Sequence, residues 1–462
     1  MRKDLRLQNL ASAAQLKQAI QYYSLLHSSG FFYYFHGMVK YLLICLLLLP
    51  AVAGYSQPRS ICDSTRLPIV FVHGFLGSGD NWSRPIRRLV QNGYCANRLF
   101  VFDWNSVNRS RSTDSLLDAT ISRVLQQTSA TAVHLVGHSA GGTLCYSYLA
   151  DSIKARKVAR YVHIGSNAMK GPAGPGGTVP TLNIYSKADQ VVRNGGPIPG
   201  AKNLQLHTAD HMQVATGDSS VQALFAFFNA GKQAQLQAFK ATGTKSIRLA
   251  GKVVTLGENI PVRGKYRVEL YDPEDGRFRY KRGYTPWKQI GADGSWAAIQ
   301  YGSNYLSIEV QPDAGRRVIY FLENQPVDNR HLYLRTFPAS GMVASLLQQL
   351  PADSGKALLV VFSSNGALIA GRDSLLINGV PVTTPVIAPP SKTMIAAFIT
   401  DDGDGVSSYN PLPAFRSFPF LGSMDLVLEA GKQQSITIQL NGRTLRLPWT
   451  ASADAVLIAV FD

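Results

Sequence analysis

The sequence lacks an apolar run long enough to span a membrane comfortably. The run from Tyr41 to Leu49 is far shorter than the roughly 20 residues that a spanning helix needs. A basic start at Met38-Val39-Lys40 precedes it and Ala51-Val52-Ala53 follows it, an arrangement typical of a secretory signal peptide. We therefore predict export to the periplasm, the cell surface or the medium.

We assign this signal peptide to residues 38–56. Cleavage is expected after Ala53 or close to Ser56, and residues 1–37 are interpreted as an upstream extension. An uncleaved anchor formed by Phe31 to Ala53 is the alternative interpretation.

Acidic residues are scarce, since 29 Asp and Glu oppose 46 Lys and Arg and the formal charge is +17. The predicted leader carries only part of this excess, so the exported part stays basic. A basic surface attracts anionic interfaces such as lipid headgroups and cell-envelope polymers. No signature of a nucleic-acid-binding fold accompanies the charge. The expected partners are therefore an anionic membrane or envelope surface and no nucleic acid.

Cysteine is also scarce, and removal of the leader leaves only Cys62, Cys95 and Cys145. Because an oxidising compartment permits disulfides, Cys62 and Cys95 are the plausible pair, and Cys145 is expected to be a buried thiol. The acidic run Asp401 to Gly405 lacks the remaining ligands of a standard calcium loop. We interpret it as a polar turn and predict no metal.

The pentapeptide Gly137-His138-Ser139-Ala140-Gly141 is the most informative motif. It follows the apolar run Val133 to Val136 and precedes a predicted helix at Gly142 to Ala150. A strand, a tight glycine turn and a helix lift a serine hydroxyl above a parallel sheet. Ser139 is therefore the predicted nucleophile, and Gly137 and Gly141 support its turn.

A second glycine turn, His73-Gly74-Phe75-Leu76-Gly77, follows the apolar run Leu67 to Val72. A backbone N–H of this turn, together with the N–H that follows the nucleophile, can stabilise a developing oxyanion. We assign these two donors to Phe75 and Ala140. His73 and Gly74 are interpreted as structural support of the turn.

A carboxylate and a histidine follow later strands. Asp189 comes after the predicted strand Thr181 to Tyr185, and His211 comes after the short strand Leu204 to Leu206. The order nucleophile, acid, histidine is that of α/β-hydrolases. We predict that His211 takes the proton of Ser139 and that Asp189 holds the imidazole in the right tautomer. This chemistry needs no metal or organic cofactor.

Other titratable residues near these motifs are weaker candidates for the catalytic base and acid. His207 precedes His211 by four residues and is its main rival as the base. Asp210 is a poor partner for the imidazole because adjacent side chains diverge. Asp103 precedes Ser139 in the chain, which breaks the expected order.

Three segments of the chain resemble the compact bacterial triacylglycerol lipases: Val72 to Ser78, Val136 to Gly142 and Ile184 to Val192. In that family the residue after His-Gly and the residue after the serine form the oxyanion hole, which the resemblance places here at Phe75 and Ala140.

The run from His211 to Gly231 is similar to two-domain archaeal lipases, which carry a lipid-binding β-barrel after the hydrolase domain. In that group the acid comes from the earlier strand, where this chain has His163-Ile164-Gly165. Asp189, which matches the bacterial pattern, is therefore the assigned acid.

Two kinds of periodicity divide the chain. Up to about residue 232, strands alternate with helices, such as the one predicted behind an N-cap at Asp114. This pattern predicts an α/β-hydrolase domain at 60–232, with a mostly parallel sheet and helices on both faces. Beyond about residue 240, short alternating runs predict all-β sandwich or barrel domains.

We divide the all-β part into a linker and β-sandwich module at 233–336 and a β-barrel-like module at 337–462. A hairpin is predicted with its turn at Asn441-Gly442, and Val456 to Phe461 is predicted to be a buried closing strand. Phe415, Phe418, Phe420 and Leu421 form either an exposed apolar surface for acyl chains or ordinary core.

These features together predict a secreted carboxylic-ester hydrolase of the lipase or esterase type that works through an acyl-enzyme. The β modules are expected to bind lipid or to help cover the active site. A depolymerase of polyesters or other acyl polymers with the same triad is one alternative. A non-catalytic lipid- or surface-binding protein on the same fold is the other.

Overall fold

The structure is a computed structural model, and it describes residues 62–110, 112–239, 246–279, 285–302, 304–416, 418, 420–428 and 435–462. The predicted upstream extension and signal peptide lie outside the described residues. Among the residues described, no helix is both long enough and apolar enough to traverse a lipid bilayer.

Residues 62–239, called here the first domain, are organised by six parallel strands. These strands, β1 to β6, are Ile69–Val72, Leu99–Phe102, Val133–His138, Val158–Ile164, Thr181–Ser186 and Lys202–Leu206. Their order across the sheet is β2-β1-β3-β4-β5-β6. Because the chain passes from β2 over β1 to β3, the loops after β1 and β3 diverge and leave a crevice at the carboxyl edge of the sheet.

Helices cover both faces of this sheet. They are α1 to α6, at Ser83–Gln91, Ser112–Thr128, Ala140–Leu149, Ser152–Ala155, Gln213–Thr216 and Asp218–Phe228. On one face α1 and α6 pack against Phe71 and Ile184, and on the other α2 and α3 pack against Val70 and Leu135. Burial on both faces of the sheet explains why β1 and β2 are continuous apolar runs. The predicted class of this domain is confirmed.

Helix α2 begins earlier than its predicted cap. The helix starts at Ser112, so Asp114 lies inside the first turn, where its carboxylate is still near the positive end of the helix dipole. The prediction that Asp114 is the N-cap was therefore wrong, since Asp114 is the third residue of the helix.

The β region is residues 246–462, and in its described residues it consists of strands and two short helices. Its strands, β7 to β22, are Ser246–Thr255, Gly264–Asp272, Arg277–Phe278, Lys288–Gln289, Ser295–Tyr301, Tyr305–Pro312, Val318–Leu322, Leu334–Thr336, Leu359–Ser363, Leu375–Ile377, Val380–Pro381, Ala396–Thr400, Leu421–Asp425, Ser435–Leu440, Arg443–Pro448 and Val456–Phe461. The helices α7 and α8 are Met342–Leu347 and Pro413–Arg416.

A nine-stranded sheet runs through most of the β region, in the order β10-β8-β12-β13-β22-β15-β18-β19 with β9 beside β8. Strand β22 pairs in parallel with β13 on one side and with β15 on the other. The sheet is therefore continuous across residue 336, where the sequence suggested the junction of two modules. The predicted hairpin, β20 and β21, and the predicted closing strand, β22, are both found.

A disulfide joins Cys62 to Cys95, which confirms the predicted pair. Cys145 is a buried free thiol on α3, also as predicted. The disulfide ties the start of the described chain to the segment just before β2, in addition to the bond from the Asp63 N–H to Gly93 O at 2.8 Å.

Buried charges connect the first domain to the β region. The Arg335 guanidinium donates to both carboxylate oxygens of Asp80, at 2.7 and 2.6 Å, and both side chains are nearly inaccessible to solvent. Lys252 and Tyr333 donate to Asp103 at 2.9 and 2.8 Å. The two parts of the chain are thus joined by hydrogen-bonded ion pairs as well as by apolar packing.

We expect Arg335→Met to destabilise the protein by about 3–5 kcal/mol, because it leaves the Asp80 carboxylate buried without its partner. The free energy of unfolding from urea titration measures this loss. Arg84→Met is the matched control, since Arg84 pairs with a partly exposed Asp218 and such pairs contribute under about 1 kcal/mol. Equal losses in the two variants would contradict the prediction.

Candidate active site

Ser139 occupies the sharp turn between β3 and α3. Its backbone has φ 54° and ψ −123°, a strained conformation for a residue with a side chain. A Cβ on Gly141 would lie 2.3 Å from His73 O, and one on Gly137 would lie 2.8 Å from Gly142 Cα. Only glycine therefore fits at these two positions. The motif forms the strand–turn–helix that the sequence predicted, with the serine at its apex.

Asp189 and His211 form a direct hydrogen bond. The distance from His211 Nδ1 to Asp189 Oδ2 is 2.7 Å, and each side chain is 2% exposed. The other carboxylate oxygen of Asp189 accepts the N–H groups of Val191 and Val192 at 2.8 and 2.9 Å. Burial alone would raise the pKa of Asp189, but the bond and charge of His211 and these N–H groups lower it below its ordinary value. The carboxylate is thus held ionised beside the imidazole.

His138, the residue before the nucleophile, connects the serine turn to the histidine loop. Its Nε2 lies 2.9 Å from His211 O, and the two imidazole rings are 4.6 Å apart between centroids. Burial lowers the pKa of His138 to about 3, so its ring is neutral at ordinary pH. In the described part of the chain Ser139 Oγ makes no hydrogen bond to the His211 ring, a bond that is often long before substrate binds.

The turn after β1 lies against the nucleophile. A Cβ on Gly74 would be 2.8 Å from Ser139 Cβ, so the backbone of this turn passes directly over the serine. Leu76 N donates to Ser106 Oγ at 2.9 Å and Gly77 N to Gly74 O at 3.1 Å. Among the described residues, the N–H groups of Phe75 and Ala140 have no acceptor. Both predicted donors are therefore free to bind a ligand.

His73 is fixed inside this turn by hydrogen bonds from both ring nitrogens. Its Nδ1 lies 2.8 Å from Gly74 O and its Nε2 accepts the N–H of Trp104 at 3.2 Å. Asn259 Nδ2 also lies 3.2 Å from Nε2. Burial lowers the pKa of His73 to about 4. These contacts are those of a neutral structural histidine.

The rival residues have other partners. His207 is exposed, whereas His211 is only 1% exposed. Asp210 accepts the Met212 and Gln213 N–H groups and the Arg372 guanidinium. Its carboxylate therefore braces the loop that carries His211 without contacting the ring.

At the position where the resemblance to two-domain archaeal lipases would place the acid, the ring nitrogens of His163 lie 2.7 Å from Tyr161 Oη and 2.9 Å from Asn167 O. Burial lowers the pKa of His163 to about 4. A neutral, hydrogen-bonded histidine thus fills this place, and Asp189 is the carboxylate that contacts His211.

The β region covers the site with apolar side chains. Phe420 stacks on the His211 ring with centroids 6.0 Å apart, and Phe415, Phe420 and Leu421 are all buried. These residues are thus core, and Phe420 is also a wall of the site. Beyond it lies a cavity with a mostly apolar lining, bounded by Leu76, Asp80, Asn81 and Ser83 of the first domain and by side chains of the β region. The charged lining residues of the β region include Glu323, Arg335 and Asp462, and the apolar ones include Leu256, Leu322, Leu334, Phe337, Val343, Leu346, Val360, Phe362, Phe398, Phe418, Phe420 and Val460.

Two residues near the site have roles that the sequence analysis missed. Asn259 contacts the turn after β1, and Arg372 contacts Asp210. Each lies more than 150 residues from its partner in the chain, so no local pattern signals the contact.

One group of acidic side chains offers a possible cation-binding geometry. Asp401, Asp402 and Asp425 place ligand oxygens within 4.8 Å of one another. Asp401 accepts the N–H of Gly403 and Asp402 accepts that of Asp404. These bonds are those of the polar turn that the sequence predicted.

A family model described as the alpha/beta hydrolase fold matches residues 68–185. This segment includes β1 to β5 and the turn of Ser139. A second model, of a C-terminal domain, matches residues 361–449.

Solved structures similar to this chain include a lipase of Bacillus licheniformis in its mature form, with 16% identity, a TM-score of 0.31, and coverage of 36% of this chain and 94% of that one. An esterase of Rhodococcus has 15% identity and a TM-score of 0.30, with coverage of 37% and 93%. Lipase B of Aspergillus fumigatus has 13% identity and a TM-score of 0.31, with coverage of 37% and 55%.

Proposed function

Because residues 68–185 have the α/β-hydrolase fold, we propose that this protein hydrolyses carboxylic esters through an acyl-enzyme on Ser139. The observation that carries the proposal is the buried Asp189–His211 pair, which contacts His138, the residue before the strained Ser139 turn. Acyl transfer by a serine requires such an acid and imidazole close to the nucleophile.

The proposed reaction begins with attack of Ser139 Oγ on the ester carbonyl carbon, while His211 Nε2 takes the hydroxyl proton. Asp189 accepts from Nδ1–H and stabilises the imidazolium. The N–H groups of Phe75 and Ala140 bind the tetrahedral oxyanion, each contributing on the order of 3 kcal/mol. Collapse expels the alcohol, which receives the proton from His211. His211 then acts as the base for a water molecule, which attacks the acyl-serine and releases the acid.

We propose that the acyl chain of the substrate enters the apolar cavity of the β region. The cavity is bounded by Leu76, next to the proposed oxyanion donor Phe75, and by Phe420, which stacks on His211. The mostly apolar lining of this cavity favours a hydrocarbon chain over a polar acyl group. This location supports a lipid ester as the substrate and gives the β region its proposed role.

Export is proposed from the predicted signal peptide. The Cys62–Cys95 disulfide supports it, because disulfides persist in oxidising compartments. The basic composition supports adsorption to anionic lipid or envelope surfaces.

A panel of p-nitrophenyl esters from acetyl to palmitoyl, measured on the full chain, tests the proposed function. We expect hydrolysis across the panel, and we expect Val460→Phe to lower kcat/KM for the palmitoyl ester by about 10-fold or more. Val460 lines the cavity and is half-buried, so a larger side chain there obstructs a long acyl chain. Butyrate hydrolysis is expected to stay within twofold.

Val406→Phe is the control for this prediction, because Val406 lies in the same region but is 63% exposed. Equal losses on short and long esters in Val460→Phe would exclude the cavity as the acyl site. Absence of hydrolysis of every ester by the wild-type protein would exclude the proposed function itself.

A further inference from the structure

Asn259, in the β region, reaches into the turn after β1. Its Nδ2 donates to Gly77 O at 2.8 Å and to Trp104 O at 2.9 Å, and it lies 3.2 Å from His73 Nε2. The residue is 8% exposed. The two hydrogens of the Asn259 amide thus form hydrogen bonds with two carbonyl groups. One is that of Gly77, at the end of the turn, and the other is that of Trp104, in the segment after β2.

The side chain of Asn259 serves the first domain and not its own. All the side-chain hydrogen bonds described for it go to the first domain, and its buried Oδ1 has no hydrogen-bond partner among the described residues. Its φ of 58° is one that asparagine tolerates. A buried amide whose described side-chain bonds all cross to another domain, with one oxygen left unpaired, indicates a role beyond the stability of its own module.

The turn that Asn259 holds is the one that carries Phe75. Gly77 N donates to Gly74 O, so this turn encloses Phe75 between its two ends, and the Asn259 amide is bonded to the carbonyl at the far end. The backbone at Gly74 is in contact with Ser139. A shift of this turn therefore moves the Phe75 N–H relative to the nucleophile, and misplacement by about 1 Å can cost roughly 100-fold in rate.

We propose that Asn259 is a positioning residue of the oxyanion hole, through which the β region fixes the Phe75 donor over Ser139. The inference rests on the proposed function, since an oxyanion hole acts only in acyl transfer. It makes the β region part of the catalytic geometry for every ester, irrespective of acyl-chain length.

The test is Asn259→Gly in the full chain. Glycine adopts a positive φ without strain, so the substitution removes the amide and leaves the backbone relaxed. We expect kcat for p-nitrophenyl butyrate, per active site titrated with a phosphonate, to fall by about 10- to 100-fold with KM within twofold. Affinity for a boronic acid that mimics the tetrahedral intermediate should fall by a similar factor.

Asn441→Gly is the matched control, because Asn441 also has a positive φ of 49° and a hydrogen-bonded side chain in the β region. It should keep the wild-type kcat. A purely structural role for Asn259 would lower the number of titrated sites and leave kcat per site and boronate affinity unchanged, which would overturn the inference.

If the Asn259→Gly variant does not fold, Asn259→Asp tests the positioning role instead. Aspartate keeps the shape and tolerates the positive φ, but its carboxylate cannot donate to the two carbonyls, so the same loss of kcat is expected. A kcat within twofold of wild type in the folded variant overturns the inference, provided that the wild-type protein is active and Ser139→Ala is not. Activity that survives Ser139→Ala would instead refute the proposed function.

Discussion

Ser139→Ala is expected to reduce hydrolysis of p-nitrophenyl butyrate by about 10⁴- to 10⁶-fold in kcat. The substitution removes the oxygen atom that forms the proposed acyl bond. It leaves the turn intact because alanine and serine have similar backbone conformational preferences. The residual rate would come from the oxyanion donors and from substrate binding. Thermal unfolding and adsorption to lipid vesicles should match the wild-type protein.

Ser147→Ala is the control for this loss. Ser147 lies on the same helix, α3, and its side chain is exposed. Its hydroxyl is therefore not part of the proposed site. Wild-type turnover in Ser139→Ala would eliminate Ser139 as the nucleophile, and equal losses in both variants would point to a damaged helix.

Asp189→Asn is expected to lower kcat by about 10⁴-fold while the folded structure is retained. Asp189 Oδ2 accepts from His211 Nδ1 at 2.7 Å. An amide that presents its NH₂ group to that nitrogen stabilises the wrong tautomer, in which Nε2 carries the proton and cannot act as the base. The other side-chain oxygen still accepts from Val191 and Val192, so the loop should keep its conformation.

Asp210→Asn distinguishes an effect on the imidazole from a general effect on the loop. Asp210 is the neighbour of His211, but its carboxylate contacts backbone N–H groups and Arg372. We expect this variant to lose stability and to keep kcat within about 10-fold of wild type, an estimate for a residue that braces the loop without touching the ring. A larger kcat loss in Asp210→Asn than in Asp189→Asn would reverse the assignment of the acid.

Local patterns predicted most of the first domain. Strand β1 at Ile69–Val72 and strand β2 at Leu99–Phe102 match apolar runs, because a parallel strand buried on both faces has few polar positions. The Ser139 turn was predictable because its geometry demands glycine at fixed offsets. Helix α2 was predicted with the wrong first residue, since several polar residues before it can serve as a cap.

Contacts between segments that are far apart in the chain could not be predicted from the sequence. The pairing of β13 with β22 joins residues near 320 to residues near 458, and nothing in either strand specifies its neighbour. Asn259 reads as an ordinary turn residue between Gly257 and Pro261, and its bond to Gly77 spans 182 positions. For the same reason, the boundary predicted at residue 336 falls where one sheet is continuous.

The central place of β22 has a consequence for the order in which the β region can assemble. Residues 456–461 are made after every other strand described, yet they must insert between β13 and β15. Until then both neighbours have an unpaired edge, which is a template for wrong association with other chains. The edges of β13 and β15 that β22 covers therefore stay open during synthesis until residues 456–461 have been made.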